Sequence, residues 1–363
     1  MCLGPVGGDA AEPNAGIGMH AETGSSVYRN DDGLRVISPW ASVRQHVGEP
    51  TEIGASWKAD IISAATVDVV SAATMRFDET RQEGSLSVNH AWRDLRLSGA
   101  YTGSTESDTR NHWLALGGDL DLIDRNVTAH LGYGLGLDRL GSGRESDELW
   151  RDRTVHQIDA SVLQVLGPAT TASAAYSLQL VRGFQSSVYR HVPLLPSDPS
   201  LWRRSYAQWV PERHPDSRDR HAFSLQARHA FSPRFFGHAS WRGYLDTWSM
   251  RAHTAELGVG VDLGGGWLIE LANRGHRQSR VSFYRSVYTV NRDYLTRDRR
   301  LGEMWSDITR LDLRWLHGRW QALLRGEAHW TRYADFQAVV GELLEPMPDT
   351  WALVVQAAIA IEL

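Results

Sequence analysis

The sharpest chemical signal in the 363-residue sequence is a tandem repeat in its first quarter. Residues 60–66 read DIISAAT and residues 68–74 read DVVSAAT, so an eight-residue step superposes Asp60 on Asp68, Ser63 on Ser71 and Thr66 on Thr74. Each copy sets a threonine hydroxyl behind two alanines and downstream of a carboxylate. Small flanking side chains leave such a hydroxyl reachable as a nucleophile, and a nearby carboxylate can help position a metal–phosphate group. Elsewhere the reactive residue types do not gather. The 15 histidines include no His-x-His pair and no HExxH, the spacings that place two imidazoles on one metal. The single Cys2 excludes an internal disulfide framework and a cysteine-rich metal site. Serine, histidine and aspartate abound, yet no spacing singles out a nucleophile with its base. No catalytic residue and no metal site is expected, and the chain reads as non-enzymatic.

The elements that must carry these residues are strands. Hydrophobic residues make up 42% of the chain, but its mean hydropathy is −0.36. No apolar run reaches the roughly 18 residues that a membrane-crossing helix needs. A crossing β-strand needs only about 10 residues with apolar side chains on one face, so its average hydropathy stays low. Period-two alternation of that kind dominates. In 126–138, Val127, Ala129, Leu131, Tyr133, Leu135 and Leu137 share one face, opposite Thr128, His130, Gly132, Gly134, Gly136 and Asp138. Leu86, Val88 and Trp92 align in 84–92; Phe223, Leu225, Ala227 and Phe231 align in 221–231; Trp351, Leu353, Val355, Ala357, Ile359, Ile361 and Leu363 align at the C-terminus.

The pattern predicts strands near 36–46, 53–63, 67–77, 84–92, 95–103, 111–121, 126–138, 154–166, 170–183, 221–231, 234–247, 252–263, 267–277, 307–316, 319–332 and 351–363. Short turns, such as Arg93-Asp94, Ile123-Asp124-Arg125, Gly264-Gly265-Gly266 and His317-Gly318, alternate with longer polar loops near 139–152, 184–220, 278–305 and 333–349. That rhythm and the even total of about 16 predict an all-β fold: a closed antiparallel transmembrane β-barrel with long outer loops, in contact with bacterial outer-membrane lipid. A water-soluble sandwich or solenoid also alternates, but it does not explain the tryptophans. There are 15. Trp92, Trp267, Trp315 and Trp320 flank short turns, and Trp330 and Trp351 flank a long loop, as aromatic belts at two membrane boundaries would.

Residues 34–363 read as a single barrel. Residues 1–33 are set apart as an N-terminal segment, extended or the remnant of a processed leader, because they lack the apolar core of a signal peptide. No lipobox precedes Cys2, so its lipidation is not expected. The net charge of −5 is mixed throughout and leaves no nucleic-acid footprint. Opposite the apolar face fall Arg96, His130, Arg228, Arg242, Glu256, Asp262, Glu270, Arg310, Asp312, Arg314, Arg325, Glu327 and His329. In a barrel these line the lumen, either as a water-filled, charge-selective channel or as a polar network that fills it.

The tandem D-x-x-S-A-A-T resembles the acceptor motif of proteins that carry covalent flavin, in which an FMN transferase esterifies the final threonine with the FMN phosphate. The resemblance implies Thr66 and Thr74 as attachment points, with Asp60, Ser63, Asp68 and Ser71 as motif residues. Alanine stands at 64 and 72 where the motif usually has glycine. With Phe77, Glu79, Arg81 and Glu83 after it, the repeat is similar to the early part of a bacterial outer-membrane barrel family catalogued only as a domain of unknown function. Residues Trp241 to Trp248 (WRGYLDTW) with Ala252-His253-Thr254, Ser282 to Arg285 (SFYR) and Thr296 to Leu301 (TRDRRL) resemble its later motifs. This likeness covers about residues 34–363. It implies genomic company with FMN transferases, thioredoxin-like proteins and a small lipoprotein, and it brings no established activity. The expectation drawn from it is an outer-membrane barrel with covalent FMN serving extracytosolic redox transfer. The alternatives are a cofactor-free pore and a structural barrel that docks a partner.

Overall fold

In a computed structural model of the chain, residues 18–48, 50–64, 77–142, 146, 149–202, 208–340 and 343–363 are described. Their strands in chain order are β1 (Met19–Asn30), β2 (Arg35–His46), β3 (Thr51–Ala64), β4 (Phe77–Trp92), β5 (Leu95–Thr105), β6 (Thr109–Leu122), β7 (Val127–Leu140), β8 (Arg151–Gly167), β9 (Thr170–Gly183), β10 (His191–Leu194), β11 (Gln208–Pro211), β12 (Ser217–Ser232), β13 (Phe235–Asp246), β14 (Arg251–Gly264), β15 (Trp267–Gln278), β16 (Met304–His317), β17 (Trp320–Tyr333), β18 (Gln337–Val340), β19 (Leu343–Pro346) and β20 (Thr350–Glu362). Sixteen of them close one antiparallel barrel, with β10–β11 and β18–β19 as separate hairpins in its long loops. Closure joins the chain ends. β1 pairs with β20, and the Met19 N–H donates to the Leu363 carbonyl. A closed ladder leaves no unpaired edge, which hydrocarbon would not tolerate.

The alternating faces sort as the sequence predicts. The apolar face points out: Leu86 is 64% exposed, Leu131 64%, Leu257 68% and Leu353 64%. In water each such leucine would forfeit roughly 1.5–3 kcal/mol of burial, so this surface is suited to hydrocarbon and a soluble sandwich is excluded. Aromatic side chains mark both ends of the outer face. At the short-turn end, Trp92 and Trp320 are exposed and the ring of Trp267 lies 6.1 Å from that of Trp315. Towards the long-loop end, one diagonal arrangement recurs between neighbouring strands. The Tyr101 hydroxyl meets His112 Nδ1 at 2.7 Å, Tyr133 meets His156 at 2.8 Å and Tyr176 meets His221 at 2.8 Å, while Trp241 stacks on His253 at 5.9 Å. His229 at the opposite end bonds Thr170 at 2.8 Å. These outward histidines are partnered residues of the wall surface.

The largest departures from the sequence reading fall among the first four strands. Met19–Asn30, set apart as a segment before the barrel, is wall strand β1, so the barrel begins ahead of residue 34. The strand expected at 67–77 lies outside the described residues except for Phe77, where β4 starts. β4 also begins seven residues before the expected 84, because 77–83 (FDETRQE) carry polar residues on both faces and show no alternation. At the short-turn end Gly266 is required: its φ is +84°, and a Cβ there would sit 1.8 Å from the Leu316 carbonyl oxygen.

Candidate functional site

Two polar assemblies share the inside of the barrel: an ion network on one wall and a folded cap of loops above it. The network centres on Asp312 of β16, which is 0% exposed. Arg325 on β17 donates to both its oxygens at 2.6 Å, Arg314 to Oδ2 at 3.3 Å, and Arg310 approaches at 3.9 Å. The bidentate fork suits a planar guanidinium. Arg310 also reaches Glu256 on β14 at 3.2 Å and Glu270 on β15 at 3.7 Å. His238 on β13 bridges the same two carboxylates at 3.1 and 3.8 Å, and Glu327 pairs with His329 at 2.8 Å. Eight of the expected lumen residues, Glu256, Glu270, Arg310, Asp312, Arg314, Arg325, Glu327 and His329, are thus brought together on adjacent strands. On another part of the wall, Asp119 holds His130 at 2.7 Å and Arg96 at 3.7 Å. Arg228 and Arg242 face the lumen, exposed, with no ion pair among the described residues.

His238 and Arg274 were missed by the sequence reading, although parity with Arg242 and with Glu270 would have found both. Trp113 was missed as well. Its ring lies on the lumen side of β7, over Gly134, where a Cβ would come within 2.2 Å of it.

The cap is built on Asp246 at the loop end of β13. Its carboxylate accepts from Arg218 Nε at 2.8 Å, the Tyr244 hydroxyl at 2.7 Å, and the N–H groups of Trp248 and Met250 at 2.9 and 3.0 Å. The Arg218 guanidinium also stacks 4.2 Å over the Trp248 ring. Trp248 and Met250 pack with Val281 and Tyr284 from the loop 279–303, flanked by Phe283 and Leu301. A second small core joins Val192, Leu194 and Val210 of the loop 184–216 to Tyr288 and Leu295. Backbone bridges Leu194–Tyr288 and Arg213–Leu295 knit the two loops together. Inside this join the buried Glu212 carboxylate accepts from the Thr296 hydroxyl and faces Arg190 at 3.5 Å. Burial pushes its pKa up, but His214 and Arg190 outweigh that and leave it below the ordinary carboxylate range. Burial works against Asp298 too, yet Arg300 at 2.9 Å and Arg190 at 2.5 Å hold it down to about 2. Burial raises Tyr284 and Asp335 above their usual values.

The cap crosses the mouth. Arg299 reaches Asp32 in the β1–β2 turn at 2.8 Å, and Arg297 donates to the Gln337 carbonyl in the last loop at 2.9 Å. Loop 184–216 joins β9 to β12, and eight wall strands separate it from the β1–β2 turn in either direction around the sixteen. Contacts that run from one to the other therefore link opposite sides of the rim. The three later sequence motifs converge here: Tyr244, Asp246 and Trp248 anchor the cap, while Phe283, Tyr284, Thr296, Asp298 and Arg299 build it.

The tandem repeat is placed only in part. Asp60 faces the lumen on β3, accepting from the Ser38 hydroxyl and lying 3.3 Å from Lys58 Nζ. Ser63 is a β3 residue paired with Asp78. Thr66, Asp68, Ser71 and Thr74 fall outside the described residues.

Residues 142–308 match the family model described as "Protein of unknown function (DUF3570)". This match agrees with the resemblance to a family catalogued as a domain of unknown function, and it covers the cap loops with β8 to β15 and the first residues of β16. No curated protein matches the chain. Among solved structures the chain is similar to a bacterial polysaccharide outer membrane secretin, at 10% identity and TM-score 0.55, covering 97% of this chain and 100% of that one. It is also similar to CdiB from Acinetobacter baumannii, at 8% identity and TM-score 0.50, covering 96% of this chain and 60% of that one. At these identities the likeness shows the fold, an outer-membrane-type barrel.

Proposed function

We propose that the protein is an outer-membrane pore for a small polar solute, with an outer mouth bridged by the folded loops. The observation that carries this reading is the contrast across the wall: exposed leucines outside, and solvent-exposed arginines such as Arg96, Arg228 and Arg242 inside. A wet interior of mixed sign sorts solutes by charge and size, and the cap sets which of them reach it. Planar-bilayer recording tests the proposal. Reconstituted protein conducts potassium chloride, and Arg228→Glu shifts the reversal potential towards cation preference. A barrel that never conducts, with intact or proteolytically clipped loops, overturns it. Sedimentation of the native protein with outer-membrane vesicles tests the location.

The doubled D-x-x-S-A-A-T supports a second reading, in which covalent FMN on Thr66 or Thr74 adds redox transfer to the barrel. When bound, the flavin would supply the electron chemistry. The one described carboxylate of the motif, Asp60, is engaged with Ser38 and Lys58 in the wall, so this reading rests on the sequence pattern. Protein expressed beside an FMN transferase carries the added mass on the peptide spanning 58–76 and loses it in the Thr66→Ala/Thr74→Ala double variant. An unmodified peptide under those conditions removes the flavin and leaves the pore.

A further inference from the structure

Just below the cap, one cross-strand row of the lumen wall differs from the rest. The register aligns Arg242 on β13 with Thr254 on β14, His276 on β15 and Ser306 on β16. All four sit on the lumen-facing parity and remain solvent-accessible. The Thr254 hydroxyl and His276 Nδ1 lie 2.8 Å apart and His276 Nε2 lies 3.4 Å from Gln278 Oε1, so both ring nitrogens are engaged within the wall. Arg274 projects from the same strand one lumen position closer to the short turns. Its direct cross-strand neighbour is Glu256, an obvious counter-charge, but Glu256 turns instead to His238 at 3.1 Å and Arg310 at 3.2 Å. Neither Arg242 nor Arg274 has an ion pair or hydrogen bond among the described residues. Two wet guanidinium groups, an imidazole and two hydroxyls thus share one patch whose bordering carboxylate, Glu256, is already taken by His238 and Arg310.

We propose that this patch is a binding subsite for a small oxyanion, a carboxylate or phosphate, in which Arg242 and Arg274 supply the charge and the directed hydrogen bonds, with the Ser306 hydroxyl beside them. Neighbouring strands stand about 4.8 Å apart and alternate residues about 7 Å apart along a strand. Arg242, Arg274 and His276 therefore frame an opening on the order of 10 Å, the scale of a dicarboxylate or a phosphate ester. Planar guanidinium groups match both oxyanions in bidentate geometry. The subsite deepens the pore reading, because a solute reaches it only through a wet lumen.

The test separates the two claims. Isothermal titration of the detergent-solubilised full chain with succinate, and separately with inorganic phosphate, measures the subsite without requiring conduction. Binding of either probe is expected to weaken about tenfold or more in Arg242→Glu and in Arg274→Glu. It should stay unchanged in Arg319→Glu, a short-turn control at the far end of the barrel. Heat-modifiable mobility on gels checks closure of each variant, and the milder Arg242→Gln is measured alongside in case a reversal disturbs assembly. Whichever probe binds more tightly names the oxyanion. If neither binds the wild type, or if binding ignores both arginines, the subsite is overturned. Arginine-dependent binding in a barrel that does not conduct would refute the pore while keeping the subsite. Conduction with no arginine-dependent binding would do the reverse.

Discussion

Two patches of one lumen wall, a few residues apart on β13 to β17, use the same residue types to opposite ends. Around Asp312 the charges are closed on one another: a carboxylate with no exposed surface is surrounded by Arg310, Arg314 and Arg325, and the carboxylates of Glu256 and Glu270 share His238 and Arg310. Around Arg242 the charges are left open to water. A buried charge without its partner is costly, so the closed patch has to be complete and is a structural device. A solvated guanidinium costs little to leave unpaired, so the open patch is free to serve a ligand. Charge in a lumen therefore does not by itself mark function. What marks it is charge that the wall does not use.

The largest way to break that comparison is Asp312→Ala, which strands the Arg314 and Arg325 guanidinium groups and leaves Arg310 to Glu256 and Glu270. We expect a loss of about 3 kcal/mol or more, read as a lower temperature for loss of the folded gel band. A variant as stable as the wild type would mean that the patch is hydrated and open like its neighbour. Next comes Asp246→Ala, which removes the acceptor for Arg218, Tyr244 and two backbone N–H groups. It should cost the cap about 2–3 kcal/mol and speed limited proteolysis within 184–216 while the barrel stays closed.

A pH titration follows, with an effect on the order of 2 kcal/mol. Asp298 is held down to about 2 and Glu212 also lies below its ordinary range. Both are lowered carboxylates, so the stability they give the cap is present above about pH 4 and is lost as the pH falls towards 2. Asp335, raised by burial, acts in the opposite direction. Loop cleavage by an acid-active protease, measured relative to an unfolded substrate at the same pH, should rise as the pH falls from about 4 towards 2. The smallest effect belongs to Arg242→Gln, which should change barrel stability by less than about 0.5 kcal/mol. A clear destabilisation there would place Arg242 in the structural network after all.

How much of this was legible depended on the range of the interactions. Wall strands such as β7 and β12 could be read residue by residue, because an apolar outer face and a polar inner face imprint a local period of two. β1 was passed over because its outward positions, Ala21, Thr23, Ser25 and Val27, are small or polar and alternate weakly. The expected total of about 16 agrees with the barrel, though the set behind it included 67–77 and omitted β1. In the lumen, parity located Arg242, Glu256 and Asp312 but could not say which carboxylate would turn to which arginine. The cap was illegible from local pattern. Its joins link residues as far apart as Glu212 and Thr296, or Asp32 and Arg299, and no periodicity carries such pairings. Only the likeness of 241–248, 282–285 and 296–301 to a family pattern pointed towards it.

Adjacent residues on β12 offer the most direct measurement of the claim beneath all of this. Leu225 projects outward at 56% exposure, and Gln226 faces the lumen. With Cys2 replaced, Leu225→Cys and Gln226→Cys proteins reconstituted in liposomes are treated with a membrane-impermeant maleimide. The account predicts that the thiol at 226 is labelled in the intact bilayer and that the thiol at 225 reacts only after detergent is added. Equal labelling of both thiols, or labelling at 225 alone, would contradict it.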